Sequence, residues 1–141
     1  MAKRDSFMDV LASVPLFSAC STKDLGLVAK RGEDVKVDAG KVLVSEGAAG
    51  AEFFVIIEGT ASVTRHGQEV AKLGAGAFFG DLALLDRAPR NATIMAETPM
   101  ELVVLGQREF SALIDDVPGF AHKLLAGLAR RLRENDAKTV Q

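Results

Sequence analysis

The chain has 141 residues, 48% of them apolar and 26% charged, with a formal net charge of −2. That length suits one domain, the apolar share supports a packed core rather than a disordered tail, and the slight acidity argues against a surface for nucleic acid. A lone Cys20 excludes an internal disulfide and fits a reducing cytoplasm, while no apolar run reaches secretion-signal form or the roughly 18 residues of a membrane span.

Residues 1–30 carry a helical period. In "SFMDVLASV", Phe7, Val10, Leu11 and Val14 fall on one face, and Pro15 ends the run because the residue before proline is pushed out of the helical region. "STKDLGLVAKR" then opens on Ser21 with Asp24 three places on, a capping-box variant, and puts Leu25, Val28 and Ala29 toward a core. Two short helices joined by a turn at 14–17 are expected.

From residue 31 to 106 the period changes to two. "DVKVDA", "KVLVSEG", "EFFVIIEG", "ASVTRHG", "QEVAKLG" and "ATIMAE" are short runs rich in Val, Ile and Phe, and eight glycines between 40 and 80 punctuate them. Regular short strands with glycine turns predict an all-β roll, barrel or sandwich. "RHGQ" at 65–68 predicts a tight hairpin with Gly67 at positive φ, and "EGT" at 58–60 a second turn.

Residues 107–141 return to helical period. Phe110, Leu113 and Ile114 form one stripe, Val117-Pro118 breaks it, and Phe120, Leu124, Leu125, Leu128 and Leu132 form a longer one. Two C-terminal helices follow. Gly127 weakens the second by about 1 kcal/mol relative to Ala, and Arg130, Arg131 and Arg133 suit the negative end of its dipole. The spacing 121, 125, 128, 132 permits pairing across a homodimer, although the repeat is short.

The chemistry concentrates in "FFGDLALLDRAPRNATI" at 78–94. Between Gly80 and Pro89 there is room for a short helix whose first N–H groups, near Asp81, Leu82 and Ala83, have no intrahelical partner. Gly80 lets a ligand approach the backbone, and such a terminus attracts anions. Arg90 follows, with a planar guanidinium able to hold two oxygens of one phosphate. Asp81 would repel an anion unless it accepts hydrogen bonds from neighbouring hydroxyls, as on a ribose. The site then reads as acid for sugar, amides and arginine for phosphate, and an apolar roll wall for a base.

This stretch resembles the phosphate-binding cassette of cyclic-nucleotide-binding domains, the modules of bacterial catabolite-activator regulators, cyclic-nucleotide-dependent kinases and cyclic-nucleotide-gated channels. The family pattern, F-G-E-[LI]-A-L-L, a spacer, then P-R-x-A-[TS]-[VI], is met at Phe79, Gly80, Leu82, Ala83, Leu84, Leu85, Pro89, Arg90, Ala92, Thr93 and Ile94. "SVPLFSACSTKDL" at 13–25 resembles the family's helical entry and "EGAAGAEFFVIIEGTASV" at 46–63 its central roll, so the resemblance covers nearly the whole chain. It implies a mainly β fold with flanking helices, an antiparallel β-roll of the jelly-roll or double-stranded β-helix kind, as one cyclic-nucleotide-binding domain over 1–141, with short helices over 1–30, the roll over 31–106 holding the cassette at 79–94, and hinge and lid helices over 107–141.

By the same resemblance Arg90 pairs with the cyclic phosphate, Gly80, Leu82 and Ala83 supply backbone donors, and Val70 and Ala71 line the base and sugar pocket. The resemblance makes the last helix the lid, and Arg131 and Leu132 are the positions on it expected to meet the ligand. Two residues depart from the pattern. Asp81 replaces the family's Glu and either reaches the ribose, reaches it through water, or caps the helix. Asn91 stands where the family has Ala, Ser or Thr, as a strand-start residue or a base reader, since its amide both donates and accepts. The bacterial look of the sequence favours cyclic AMP over cyclic GMP.

His66 and His122 lie far apart in sequence without an acid-and-histidine cluster around them, so no metal is expected. No nucleophile elbow or Walker loop is present, so no enzyme activity is expected either. Nine residues after Leu132 leave no room for a helix-turn-helix, so the output is expected from an effector protein or a downstream domain, with no direct contact to nucleic acid or membrane. The rival readings are a degenerate roll that serves as a protein-interaction module and the N-terminal sensor piece of a transcription regulator.

Overall fold

Helix α1 (Ala2–Ser13) stops where Pro15 opens a 3-10 turn (Pro15–Phe17). Helix α2 (Thr22–Arg31) begins at Ser21, whose hydroxyl accepts the Asp24 N–H at 3.1 Å while the Asp24 carboxylate accepts the Ser21 N–H at 3.3 Å. The capping box expected from the sequence is therefore formed, satisfying two donors that a helix start leaves open. The computed structural model describes residues 2–18, 20–50, 52–80 and 89–140.

Eight strands follow among the described residues: β1 (Glu33–Val37), β2 (Val42–Val44), β3 (Glu52–Glu58), β4 (Ala61–Arg65), β5 (Gln68–Leu73), β6 (Phe78–Phe79), β7 (Thr93–Ala96) and β8 (Met100–Gly106). They form two four-stranded antiparallel sheets, β1-β8-β3-β6 and β2-β7-β4-β5. The chain then turns helical in α3 (Gln107–Asp116) and α4 (Pro118–Val140). The break at Val117-Pro118 falls where the sequence put it. Among the described residues no helix is long and apolar enough to cross a membrane.

Alternation along the first sheet builds two cores. Phe53 and Val55 of β3, Phe78 of β6, and Val103 and Leu105 of β8 face the helices, where they meet Leu11, Phe17, Val28, Phe110, Phe120 and Leu124. Phe54, Ile56, Phe79, Leu102 and Val104 point the other way and meet Val44, Ala61, Ile94 and Ala96 of the second sheet. The layers are thus helices, first sheet, second sheet. Buried on both faces, β8 reads as a continuous apolar run, as β3 does, rather than as an alternating strand.

Rings tie the helical layer to the sheet. Phe53 lies 4.7 Å from Phe110 and 6.2 Å from Phe120, the latter edge-on, and Phe17 stacks on Phe120 at 5.9 Å. Such pairs add about 0.5–1.5 kcal/mol each beyond their area. The N-terminal half of α4 is anchored by Phe120 and Leu124, whereas Leu125 and Leu132 are exposed.

Candidate functional site

Arg90 is the only buried charged side chain among the described residues, at 8% exposure. Burying a guanidinium is costly unless its N–H groups are satisfied. Arg90 Nη1 donates to the Gly80 carbonyl at 3.0 Å and Nη2 to the Glu52 carbonyl at 2.8 Å. Those carbonyls stand at the ends of adjacent strands. Glu52 starts β3, and Gly80 follows β6, whose Phe79 pairs with Phe54. Arg90 therefore closes the end of the β3–β6 ladder, beside the stacked Phe54 and Phe79 rings at 4.7 Å.

Gly80 has φ of +92°, a conformation that side chains with a Cβ rarely adopt. A Cβ there would lie 2.6 Å from the Glu52 carbonyl oxygen and 2.8 Å from Arg90 Nη1. Glycine is needed for both reasons: the turn and the seat of the arginine.

The Arg90 main chain is equally fixed. Its N–H donates to the Ala48 carbonyl at 2.8 Å, and its carbonyl accepts the Gly47 N–H at 2.8 Å. This two-bond bridge ties the arginine to the loop between β2 and β3. Beyond it, Asn91 is exposed and its carbonyl accepts Arg65 Nε at 3.1 Å, Ala92 is buried, and the Thr93 hydroxyl accepts the Glu46 N–H at 3.0 Å.

Phe79, Gly80, Arg90, Asn91 and Ala92 thus converge at one end of the roll. Asp81, Leu82 and Ala83, with the short helix expected there, lie outside the described residues. Val70 and Ala71 are both on β5, but they differ. Ala71 pairs with Val63 and is half-buried, whereas Val70 is the extra residue of a bulge between the Val63–Ala71 and Thr64–Glu69 pairs and is 48% exposed. Leu132 is exposed on α4, the helix that also carries Arg131.

Some of the site was not legible in the sequence. Glu52, Gly47 and Ala48 act through backbone atoms, which leave no side-chain signature. His66 has an acidic neighbour that its sequence surroundings did not reveal: its Nδ1 lies 3.1 Å from Glu46 Oε2. Among the described residues no group of three His, Cys, Asp or Glu side chains is arranged to hold a metal.

The end of this roll offers a buried, backbone-braced arginine next to a glycine at positive φ. It can hold one compact anion, since two carbonyls hold the guanidinium in place and little side-chain freedom remains to be lost. The chain is similar in sequence and fold to several known proteins. A cAMP-dependent protein kinase regulatory subunit of Mycosarcoma maydis is 34% identical over 130 residues, covering 86% of this chain and 25% of that protein. The chain thus spans about a quarter of the length of that curated relative. The crystal structure of Thermus thermophilus catabolite activator protein superposes with a TM-score of 0.80 at 34% identity, over 89% of this chain and 61% of that one. The regulatory domain of Toxoplasma gondii PKA, solved with cAMP, superposes with a TM-score of 0.75 at 26% identity, over 91% of this chain and 50% of that one. The sequence profile of the cyclic nucleotide-binding domain matches residues 34–117, from β1 to the end of α3 and across the Arg90 site. With more than half of its length matched, and with the roll and braced arginine in place, the chain belongs to the cyclic nucleotide-binding domain family.

Proposed function

We propose that this chain is a sensor for a cyclic nucleotide, cyclic AMP in preference to cyclic GMP, and that ligand binding repositions its C-terminal helices. In this reading Arg90 and the amides at Leu82 and Ala83 take the cyclic phosphate, Gly80 keeps the approach open, and Asp81 takes the ribose hydroxyl. Phe79, Ala92 and Ala71 form the apolar wall with Val70 at its rim, Asn91 borders the base, and Arg131 and Leu132 close over it. Residues 1–141 act as one regulatory domain with no catalytic step. The setting is cytoplasmic, and the output passes to an effector protein or a further domain.

The observation that carries this reading is the Arg90 guanidinium, buried and held by two carbonyls beside Gly80. Cyclic AMP as the ligand is supported by the relatives named for it, the fungal cAMP-dependent kinase subunit and the T. gondii domain solved with cAMP. Helix coupling is supported by Phe78, which precedes the cassette and packs in the same core as Phe120 and Leu124 of α4. A ligand moves that helix only to the extent that it binds the two arrangements with different affinity.

Calorimetric titration with cyclic AMP and cyclic GMP tests the proposal, since the chain has no Trp or Tyr to report binding by fluorescence. Saturable binding that is tighter for cyclic AMP and lost in Arg90→Ala is the expected result. No heat and no thermal stabilisation with either nucleotide would overturn it and leave a roll that serves as an interaction module.

A further inference from the structure

The tip of the β4–β5 hairpin reaches the surroundings of Arg90 at two points, the segment after the arginine and the loop between β2 and β3. Arg65, the last residue of β4, donates from Nε to the Asn91 carbonyl at 3.1 Å. His66 gives its backbone N–H to Glu46 Oε1 at 3.0 Å and sets its Nδ1 3.1 Å from Glu46 Oε2. One carboxylate thus takes both polar groups that His66 offers on that side. Glu46 is tied in turn by its own N–H to the Thr93 hydroxyl, and it directly precedes Gly47 and Ala48, the two residues that bracket the Arg90 main chain.

His66 is the only non-glycine residue among those described with positive φ, at 54°, and Gly67 follows at 81°. Two positive φ values make this a type I′ hairpin, in which Asn or Gly is favoured at the first position. A histidine there is a weaker choice for the turn. Its imidazole contact with Glu46 gives a reason for its presence that the turn alone does not.

We infer that Glu46, Arg65 and His66 form a clasp that positions Arg90 for the anion, with Glu46 and His66 as its adjustable link. None of the three touches the ligand in this reading. They act through the Gly47–Arg90–Ala48 backbone bridge on one side and Asn91 on the other. The inference rests on the proposed nucleotide site, and the test separates the two.

His66→Gly keeps the positive φ at no steric cost and keeps the backbone N–H, but removes the imidazole. His66→Asn restores a favoured turn residue and an amide near the place of Nδ1. Glu46→Ala removes the acceptor altogether. Each variant is compared with the native chain for thermal midpoint, for hydrogen exchange at the Arg90 and Gly47 amides, and for cyclic AMP affinity by calorimetry. The expected pattern is a thermal midpoint held or raised in His66→Gly, faster exchange at those two amides, affinity about five- to tenfold weaker, and recovery in His66→Asn. Glu46→Ala should show the larger loss. A purely structural turn residue would not give weaker binding in a hairpin that is no less stable. Unchanged exchange at both amides in His66→Gly and Glu46→Ala overturns the clasp, as does faster exchange with unchanged affinity. If the native chain binds no cyclic nucleotide, the proposed function fails by itself, and the exchange measurement still decides whether the clasp holds Arg90.

Discussion

Helix α4 rests on the phenyl ring of Phe78 at Gly127: a Cβ on that glycine would stand 2.8 Å from Phe78 Cζ and 3.1 Å from Cε2. Phe78 is followed by Phe79 on the opposite face and then by Gly80, whose carbonyl holds Arg90. The last helix and Arg90 are therefore connected through three consecutive residues, Phe78, Phe79 and Gly80. The glycine that weakens α4 as an isolated helix is what lets it approach this ring.

Gly127→Ala should accordingly destabilise the fold despite alanine's higher helix propensity. The propensity gain is about 1 kcal/mol, while forcing a methyl group against a packed ring costs about 1–3 kcal/mol. The ring has little room to yield, since Phe78 is buried and lies 5.7 Å from Phe53. Gly26→Ala in α2 is the matched control: nothing lies within 4 Å of a Cβ there, so it should stabilise by up to about 1 kcal/mol. Urea unfolding followed by circular dichroism measures both. If α4 moves with ligand, Gly127→Ala also changes nucleotide affinity and Gly26→Ala does not.

Gly80→Ala should damage stability and binding together. It forces φ of +92° on a residue with a Cβ and drives that Cβ against the Glu52 carbonyl and Arg90 Nη1. The strain is worth about 1–3 kcal/mol in unfolding free energy. Calorimetry should show loss of cyclic AMP binding at temperatures where circular dichroism still reports a folded roll. Native-like affinity in this variant would show that the seat of Arg90 is not needed for the ligand.

Arg90→Lys separates charge from shape. A lysine keeps the positive charge but has one ammonium group, which cannot reproduce the planar fork that spans the Gly80 and Glu52 carbonyls. Nucleotide affinity should fall by about tenfold or more, given the 1.5–3 kcal/mol typical of a hydrogen bond to a charged group. Titration of this variant beside Arg90→Ala checks the order: native tightest, lysine intermediate, alanine weakest.

A pH effect is expected on the sheet's other end, at Glu101 of β8. Burial raises its pKa above the usual carboxylate value, a hydrogen bond with Asp34 and the Asp34 charge add to this, and Glu58 adds further while Lys36 opposes. Glu58 and Lys36 are its direct cross-strand partners on β3 and β1. A carboxyl whose pKa is higher folded than unfolded binds its proton more tightly in the fold. The linked stability is therefore full below the unfolded value and is lost as pH rises through the folded one. Glu101→Gln should be more stable than the native chain at neutral pH, by about 0.2–1 kcal/mol as for like charges opposed across strands. The difference should vanish as both are acidified below the carboxylate range, which paired urea titrations would show.

Local pattern determined much of this protein by itself. Ser21 and Asp24 announced the start of α2, Pro118 the start of α4, and the Arg65–Gln68 turn its hairpin, because caps, proline and tight turns are settled by residues within a few positions of one another. Arg90 stood out for the same reason, in an ordered motif around a glycine. Tertiary structure alone decided the rest. It placed β8 at the centre of a sheet covered on both faces, where alternation has no meaning. It brought the Glu52 carbonyl, 38 positions away in sequence, onto Arg90, and Glu46, 20 positions away, onto His66. Backbone carbonyls carry no residue identity, and contacts between distant strands depend on register, which is set only when the two sheets pack.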